Sequence, residues 1–193
     1  MNRSCSLPLL VTTLSCLWLA TSEGRAQEAL EPGLRLESLR GEVAAACSRS
    51  GWRPLALEEV SAAPLRLGPS ARAELRQGGA SLVASSGARL QAEAQGLRLE
   101  RGQLLVHTGG QAYRVATRAG ALVLRGGQLE VAALTSGVFA RVGPKSQAEF
   151  SGEGGPARPL SQRWTRLAPW GDQDPVLPTP PTWPELPVAL RDI

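Results

Sequence analysis

A glycine-punctuated alternation of apolar and polar residues from Leu97 to Val131 constrains the fold of this chain more than any other feature. Side chains of a β-strand alternate between its two faces, so apolar residues at every second position line one face. Glycine supplies the positive φ angles that hairpin turns require. The glycines stand at Gly102, Gly109-Gly110, Gly120 and Gly126-Gly127, between apolar pairs such as Leu97 and Leu99, Leu104 and Val106, Leu122 and Leu124, and Leu129 and Val131. This stretch predicts four or five antiparallel strands with one buried and one solvated face.

The same alternation of apolar and polar residues extends beyond this stretch, from Pro64 to Phe150. A further strand is predicted at residues 42–47. Turn signals such as Gly68-Pro69-Ser70 and Ser85-Ser86-Gly87 separate the apolar runs. Strands with turns at intervals of roughly 8 to 12 residues predict an all-β sandwich, here of about ten short strands. Residues 97–106 and 122–131 form a weak repeat, LRLERGQLLV and LVLRGGQLEV, but two copies do not establish a solenoid.

Composition and charge narrow the classes of partner. Hydrophobic residues make up 42% of the chain but aromatic ones only 4%, which favours a thin core of Leu, Val and Ala and disfavours a cofactor cavity. The net charge is +4, and the arginines alternate with glutamates along the predicted strands. We therefore interpret the basic residues as solvated strand faces, and we expect neither a cofactor nor a nucleic-acid partner.

The amino terminus predicts export. Arg3 precedes an uncharged apolar run, residues 5–20, that is shorter than the roughly 20 residues of a membrane span. We interpret residues 1–26 as a signal peptide cleaved after Ala26, with Ala20 as a less favoured site, and we expect a periplasmic or secreted protein without a transmembrane helix in its mature chain. A lipid anchor at Cys16 is the alternative, although Thr13 stands where a lipobox has an aliphatic residue. Cleavage leaves Cys47 as the only cysteine, which excludes an intramolecular disulfide.

The mature chain divides into a leader at residues 27–38, a β domain at residues 39–150 and a Gly/Pro-rich tail at residues 151–193. The prolines of the tail are too dense for a helix or the interior of a sheet. Trp164, Trp170 and Trp183 lie in this tail and are our candidate partner-binding residues. They either pack back onto the sandwich or present a polyproline-like segment to a partner.

Motifs for enzyme chemistry are missing from the sequence. His107 is the sole histidine, and no Gly-x-Ser-x-Gly nucleophile elbow occurs. Residues 137–146 resemble a phosphate loop, but the glycine spacing and Pro144 do not fit one. No pair of carboxylates is singled out for glycoside hydrolysis. We assign no catalytic, cofactor or metal residue and predict that the chain is not an enzyme.

Four segments carry a resemblance to a known family: Pro64-Leu65-Arg66-Leu67-Gly68, Gly78-Gly79 leading to Ser81-Leu82-Val83, residues 97–104, and Tyr113-Arg114-Val115-Ala116-Thr117 followed by Gly120. Over residues 39–150 the chain resembles the FecR-like domain, the periplasmic regulator domain of iron-transport signalling systems. The resemblance implies a jelly-roll-like sandwich without catalytic residues that works by protein contact. Sigma-factor regulators of that family carry a cytoplasmic segment before a membrane helix, whereas four residues precede the apolar run here.

These observations lead to three hypotheses of function. The first is an extracytoplasmic, non-enzymatic FecR-like domain that contacts an envelope protein or cell-wall polymer in signalling or assembly, for example by accepting a partner strand at an open sheet edge. The second is a cell-wall or carbohydrate-binding structural module. The third is an envelope hydrolase or lyase with acidic catalytic residues.

Overall fold

The computed structural model describes residues 33–47, 51–168 and 173–174, which form β-strands and no helix, so the predicted all-β class is confirmed. The described residues contain fifteen strands, against the ten or so predicted. In chain order they are β1 Leu34–Arg40, β2 Val43–Cys47, β3 Gly51–Pro54, β4 Val60–Ser61, β5 Leu65–Leu67, β6 Arg72–Gln77, β7 Ala80–Glu93, β8 Gly96–Thr108, β9 Tyr113–Thr117, β10 Gly120–Leu134, β11 Gly137–Val142, β12 Gln147–Ser151, β13 Arg158–Pro159, β14 Thr165–Leu167 and β15 Gln173–Asp174.

Three long strands, β7, β8 and β10, each bend in the middle and so belong to two layers of one continuous sheet. The first layer comprises β1, β4, β6, β11, β14 and β15 with the first half of β7 and the second halves of β8 and β10. The second layer comprises β2, β3, β5, β9, β12 and β13 with the remaining halves of the long strands. The inward residues of both layers form one hydrophobic cluster.

Each bend carries a β-bulge that keeps apolar residues directed inward on both sides. In β8, Leu97 and Leu99 are buried before the bend and Leu104 and Val106 after it, so burial changes from odd to even positions. An additional residue in a strand reverses the alternation of its faces, which accounts for this change in β8. In β7 the buried positions stay even on both sides of the bend, from Leu82 and Ala84 to Ala88 and Leu90. In β10 the buried positions change from even to odd, from Leu122 and Leu124 to Leu129 and Val131.

The turns predicted at Ser85-Ser86-Gly87, Gly102 and Gly126-Gly127 are therefore wrong, because these glycines lie inside continuous strands. Gly87, Gly102 and Gly127 have φ angles of +67°, +98° and +87°, which a bulge uses as readily as a hairpin does. The turns predicted at Gly78-Gly79 and residues 118–120 are confirmed, whereas the hairpin turn predicted at Gly109-Gly110 is wrong, because these residues connect β8 to a strand parallel to it. The stretch from Leu97 to Val131 consequently forms three strands and not four or five.

The connection from β8 to β9 takes the chain from one layer to the other. β8 crosses from the second layer to the first, and residues 109–112 return the chain to the second layer, where β9 begins. β9 therefore runs parallel to the first half of β8, with Gly96 opposite Arg114, and not antiparallel to it as predicted. Near this crossing, Tyr113 of β9 donates a hydrogen bond through Oη to Gln77 Oε1 of β6 at 2.6 Å, which ties the two layers together.

The structured region extends beyond the predicted domain boundaries on both sides. Residues 34–38, predicted as leader, lie in β1, where Leu34 and Leu36 are fully buried. In the predicted tail, β13 pairs with β12, β14 pairs with β11, and Leu160 and Leu167 join the core. The proposed signal peptide, Cys16, Trp170 and Trp183 lie outside the described residues. In the part of the chain that the structure describes, no helix is long and apolar enough to cross a membrane.

Candidate interaction surface

The large hydrophobic side chains that remain exposed among the described residues all lie in one short stretch of chain. They are Trp52, Leu57 and Val60, with exposed fractions of 36%, 59% and 47%. Trp52 lies on β3, Leu57 in the loop that follows, and Val60 on β4. We call these three residues the edge surface, because β3 and β4 lie at the edges of the second and first layers. Clustered exposed apolar residues mark interaction sites, whereas single ones are common on any protein surface.

The loop between β3 and β4 is held to the body of the domain at several points. Leu55 donates a backbone hydrogen bond to Val43 O at 3.0 Å, and Glu58 donates one to Leu36 O at 2.7 Å. The Arg53 guanidinium binds the Glu59 carboxylate, with Nη1 3.1 Å from Oε2. The hydrogen bond from Arg53 lowers the pKa of Glu59 below its ordinary value. The exposed side chain of Leu57 is therefore presented by an anchored loop.

The outward edge of β3 offers few groups for an added strand. Leu55 donates to Val43 O, and backbone groups of an antiparallel pair alternate in direction, so Gly51, Arg53 and Leu55 point toward β2 while Trp52 and Pro54 point away from it. Proline has no backbone N–H, and Pro54 O accepts a hydrogen bond from Arg53 Nη1 at 3.3 Å. Trp52 is then the only residue of β3 that offers an N–H to a partner strand. Contact through side chains fits this edge better than strand addition.

Of the tryptophan and histidine residues that the sequence singled out, the structure describes Trp164 and His107. Trp164 precedes β14 and is half-buried, with its ring centroid 5.0 Å from Cζ of Arg141, so this part of the predicted tail packs on the domain. Trp170 and Trp183 fall outside the described residues. His107 is exposed on β8, opposite Ser81 and Gln128, as expected of a surface residue on a strand.

Sequence reasoning missed the edge surface. Residues 52–60 lack an alternating pattern, and the pattern around Glu58-Glu59 fits a loop and a helical turn equally. The signal was present as four large apolar residues within nine positions that also hold two glutamates and an arginine, because such a stretch does not build a core strand.

The described residues contain no group of three or more His, Cys, Asp or Glu side chains placed to hold a metal ion. No family model matches the sequence, and the searches of curated proteins and of solved structures found no match either.

Proposed function

We propose that this chain is an extracytoplasmic, non-enzymatic binding domain of the bacterial envelope that acts by contact with another protein. The edge surface carries this proposal, because it presents exposed apolar side chains on two edge strands, β3 and β4, and on the loop that connects them. Removing such side chains from water on binding contributes roughly 25 cal/mol per Å² of apolar area, which favours association. The anchored loop reduces the entropy that Leu57 loses when a partner covers it.

The FecR-like resemblance supports the same proposal. Its four segments fall in β5, in the turn between β6 and β7, in β8 and in β9, which are parts of the scaffold. In this proposal the jelly-roll-like scaffold carries the fold, and the loop between β3 and β4 carries the partner specificity. Binding domains commonly share a scaffold and differ in the loops that contact their partners.

Site-specific photocrosslinking tests the proposal in cells that make the protein naturally. A photoreactive residue replaces Leu57 in one variant and His107 in the matched control, since both side chains are exposed and His107 lies on the outer face of the first layer. We expect one discrete protein adduct from position 57 and none of that mass from position 107. The same adducts from both positions, or no adduct from position 57, would contradict the proposal.

A further inference from the structure

Three arginines lie side by side on the outer face of the second layer. Arg66 of β5 is directly opposite Arg89 of β7, and Arg89 is directly opposite Arg101 of β8. All three are exposed. Residues opposite one another in neighbouring antiparallel strands have Cα atoms about 5 Å apart, so the three positions form a row roughly 10 Å long. Register shifts flank the Arg89–Arg101 pair, so this end of the row lies at the bend of β7 and β8. We call Arg66, Arg89 and Arg101 the arginine row.

The members of the row lack the glutamate partners that seven other described arginines have. Seven ion pairs join other arginines to glutamates, for example Arg141 to Glu130 at 2.8 Å and Arg114 to Glu93 at 2.7 Å. Within the described part of the chain, no carboxylate forms an ion pair with any member of the row. Glu100, next to Arg101, is exposed and remains outside these pairs. Like charges directly opposite across strands are destabilising, so the row lowers the stability of the free protein.

Trp52 extends the row at one end. Cζ of Arg66 lies 4.6 Å from the centroid of the Trp52 ring, although the two residues are on strands separated by β2. Ala44 and Ala46 occupy the intervening positions of β2, opposite Arg66 and Trp52, and their small side chains leave room for the guanidinium to reach the indole. This cation–π contact holds the Arg66 guanidinium in place beside an indole that is still 36% exposed.

We infer that the arginine row and Trp52 form a binding site for a linear polysaccharide that carries carboxylate groups. Guanidinium groups bind carboxylates through paired, planar hydrogen bonds. Charges repeated along one extended polymer match a row of cations on neighbouring strands. The exposed part of the indole, which has an apolar body and a polar edge, can cover the apolar face of a sugar ring.

An anionic membrane fits this surface less well. Leu57 is the most exposed of the large hydrophobic residues and the natural one to enter a bilayer, but Glu58 and Glu59 follow it directly. Anionic lipid headgroups would repel these carboxylates. This inference is independent of the protein contact proposed above, although Trp52 belongs to both surfaces, so its test leaves Trp52 unchanged.

Titration calorimetry of the mature protein with polygalacturonate, a polymer of a uronic acid, tests the inference. We expect binding that weakens as salt is added, since the contacts are between exposed charges. The triple variant R66Q/R89Q/R101Q should bind at least about tenfold more weakly, given the modest contribution of each exposed charge pair. Its Tm should equal or exceed that of the parent protein, because the substitutions remove like-charge repulsion.

The matched control is R35Q/R158Q/R163Q, which removes the same charge at three exposed arginines away from the row. It should keep the parent affinity within about twofold. An equal loss in both triple variants would mean a general charge effect and would overturn the site. The site would also be overturned if polygalacturonate did not bind, or if polyphosphate or phosphatidylglycerol vesicles bound as tightly. Dextran, a neutral polymer, should not bind.

Discussion

Tyr113 is the only tyrosine of the chain, and its hydroxyl is buried where the two layers meet. Gln77 accepts the hydrogen bond from Tyr113 and donates through Nε2 to the backbone oxygen of Glu93 at 3.1 Å. Replacing Tyr113 by Phe leaves the Gln77 oxygen without its donor. A buried polar atom that loses its partner costs about 1 to 3 kcal/mol, so we expect Tyr113→Phe to lower the free energy of unfolding by that amount in urea titrations. An unchanged midpoint would show that water replaces the hydroxyl.

The same residue predicts a loss of stability at high pH. Burial raises the pKa of Tyr113 above its ordinary value. Above pH ~10 the unfolded chain releases this proton while the folded chain keeps it, so the contribution to stability falls by about 1.4 kcal/mol per pH unit. We expect the parent protein to lose this stability between pH 10 and 11.5, relative to Tyr113→Phe. Native protein whose tyrosine absorbance titrates near pH 10 would contradict the burial.

Sequence reasoning succeeded for inward-facing residues and failed for their polar partners. Alternation correctly placed Leu97 and Leu99 on the buried face of one strand. It gave no indication that Gln77 binds Tyr113, because the two residues are 36 positions apart and come from different layers. Local periodicity reports the direction of a side chain, whereas a contact between layers depends on how the sheet folds.

At the scale of strands, the bend glycines have the largest expected effects. An added Cβ at Gly102 would lie 2.4 Å from Cα of Ala88, and its φ angle of +98° is unfavourable for other residues. We expect Gly102→Ala to destabilise the protein by about 2 kcal/mol or more, since strain and overlap act together. Gly109→Ala is the control, because no atom lies within 4 Å of its added Cβ and its φ is not positive. Equal unfolding midpoints for the two variants would contradict the bend geometry.

The bends show why the glycine pattern was misinterpreted as turns. In all three long strands a glycine follows two inward residues at the same spacing: Leu82, Ala84 and Gly87; Leu97, Leu99 and Gly102; Leu122, Leu124 and Gly127. A positive φ at glycine serves a hairpin or a bulge equally, so the residue type alone does not distinguish them. The weak repeat of residues 97–106 and 122–131 matches the bent segments of β8 and β10. The repeat therefore corresponds to strands that belong to both layers.

At the scale of the whole molecule, pairing across strands creates surfaces that the linear sequence conceals. Along the chain, arginines alternate with glutamates, and we interpreted them as solvated faces. Arg66, Arg89 and Arg101 lie 23 and 12 positions apart, yet the strand register makes them neighbours. The all-β class follows from local alternation, whereas the arginine row depends on register and on the bends.

The folded domain continues past the boundary that the sequence predicted. The sequence placed the end of the β domain at residue 150, but Leu160 and Leu167 are buried in the core, and β14 pairs with β11. Burial of a leucine side chain contributes roughly 1.5 to 3 kcal/mol, so a chain ending at Phe150 should be about 3 kcal/mol or more less stable than one ending at Ala168. Urea unfolding of this matched pair measures the difference. If the two chains unfold at the same urea concentration, the strands after β12 do not contribute to the core.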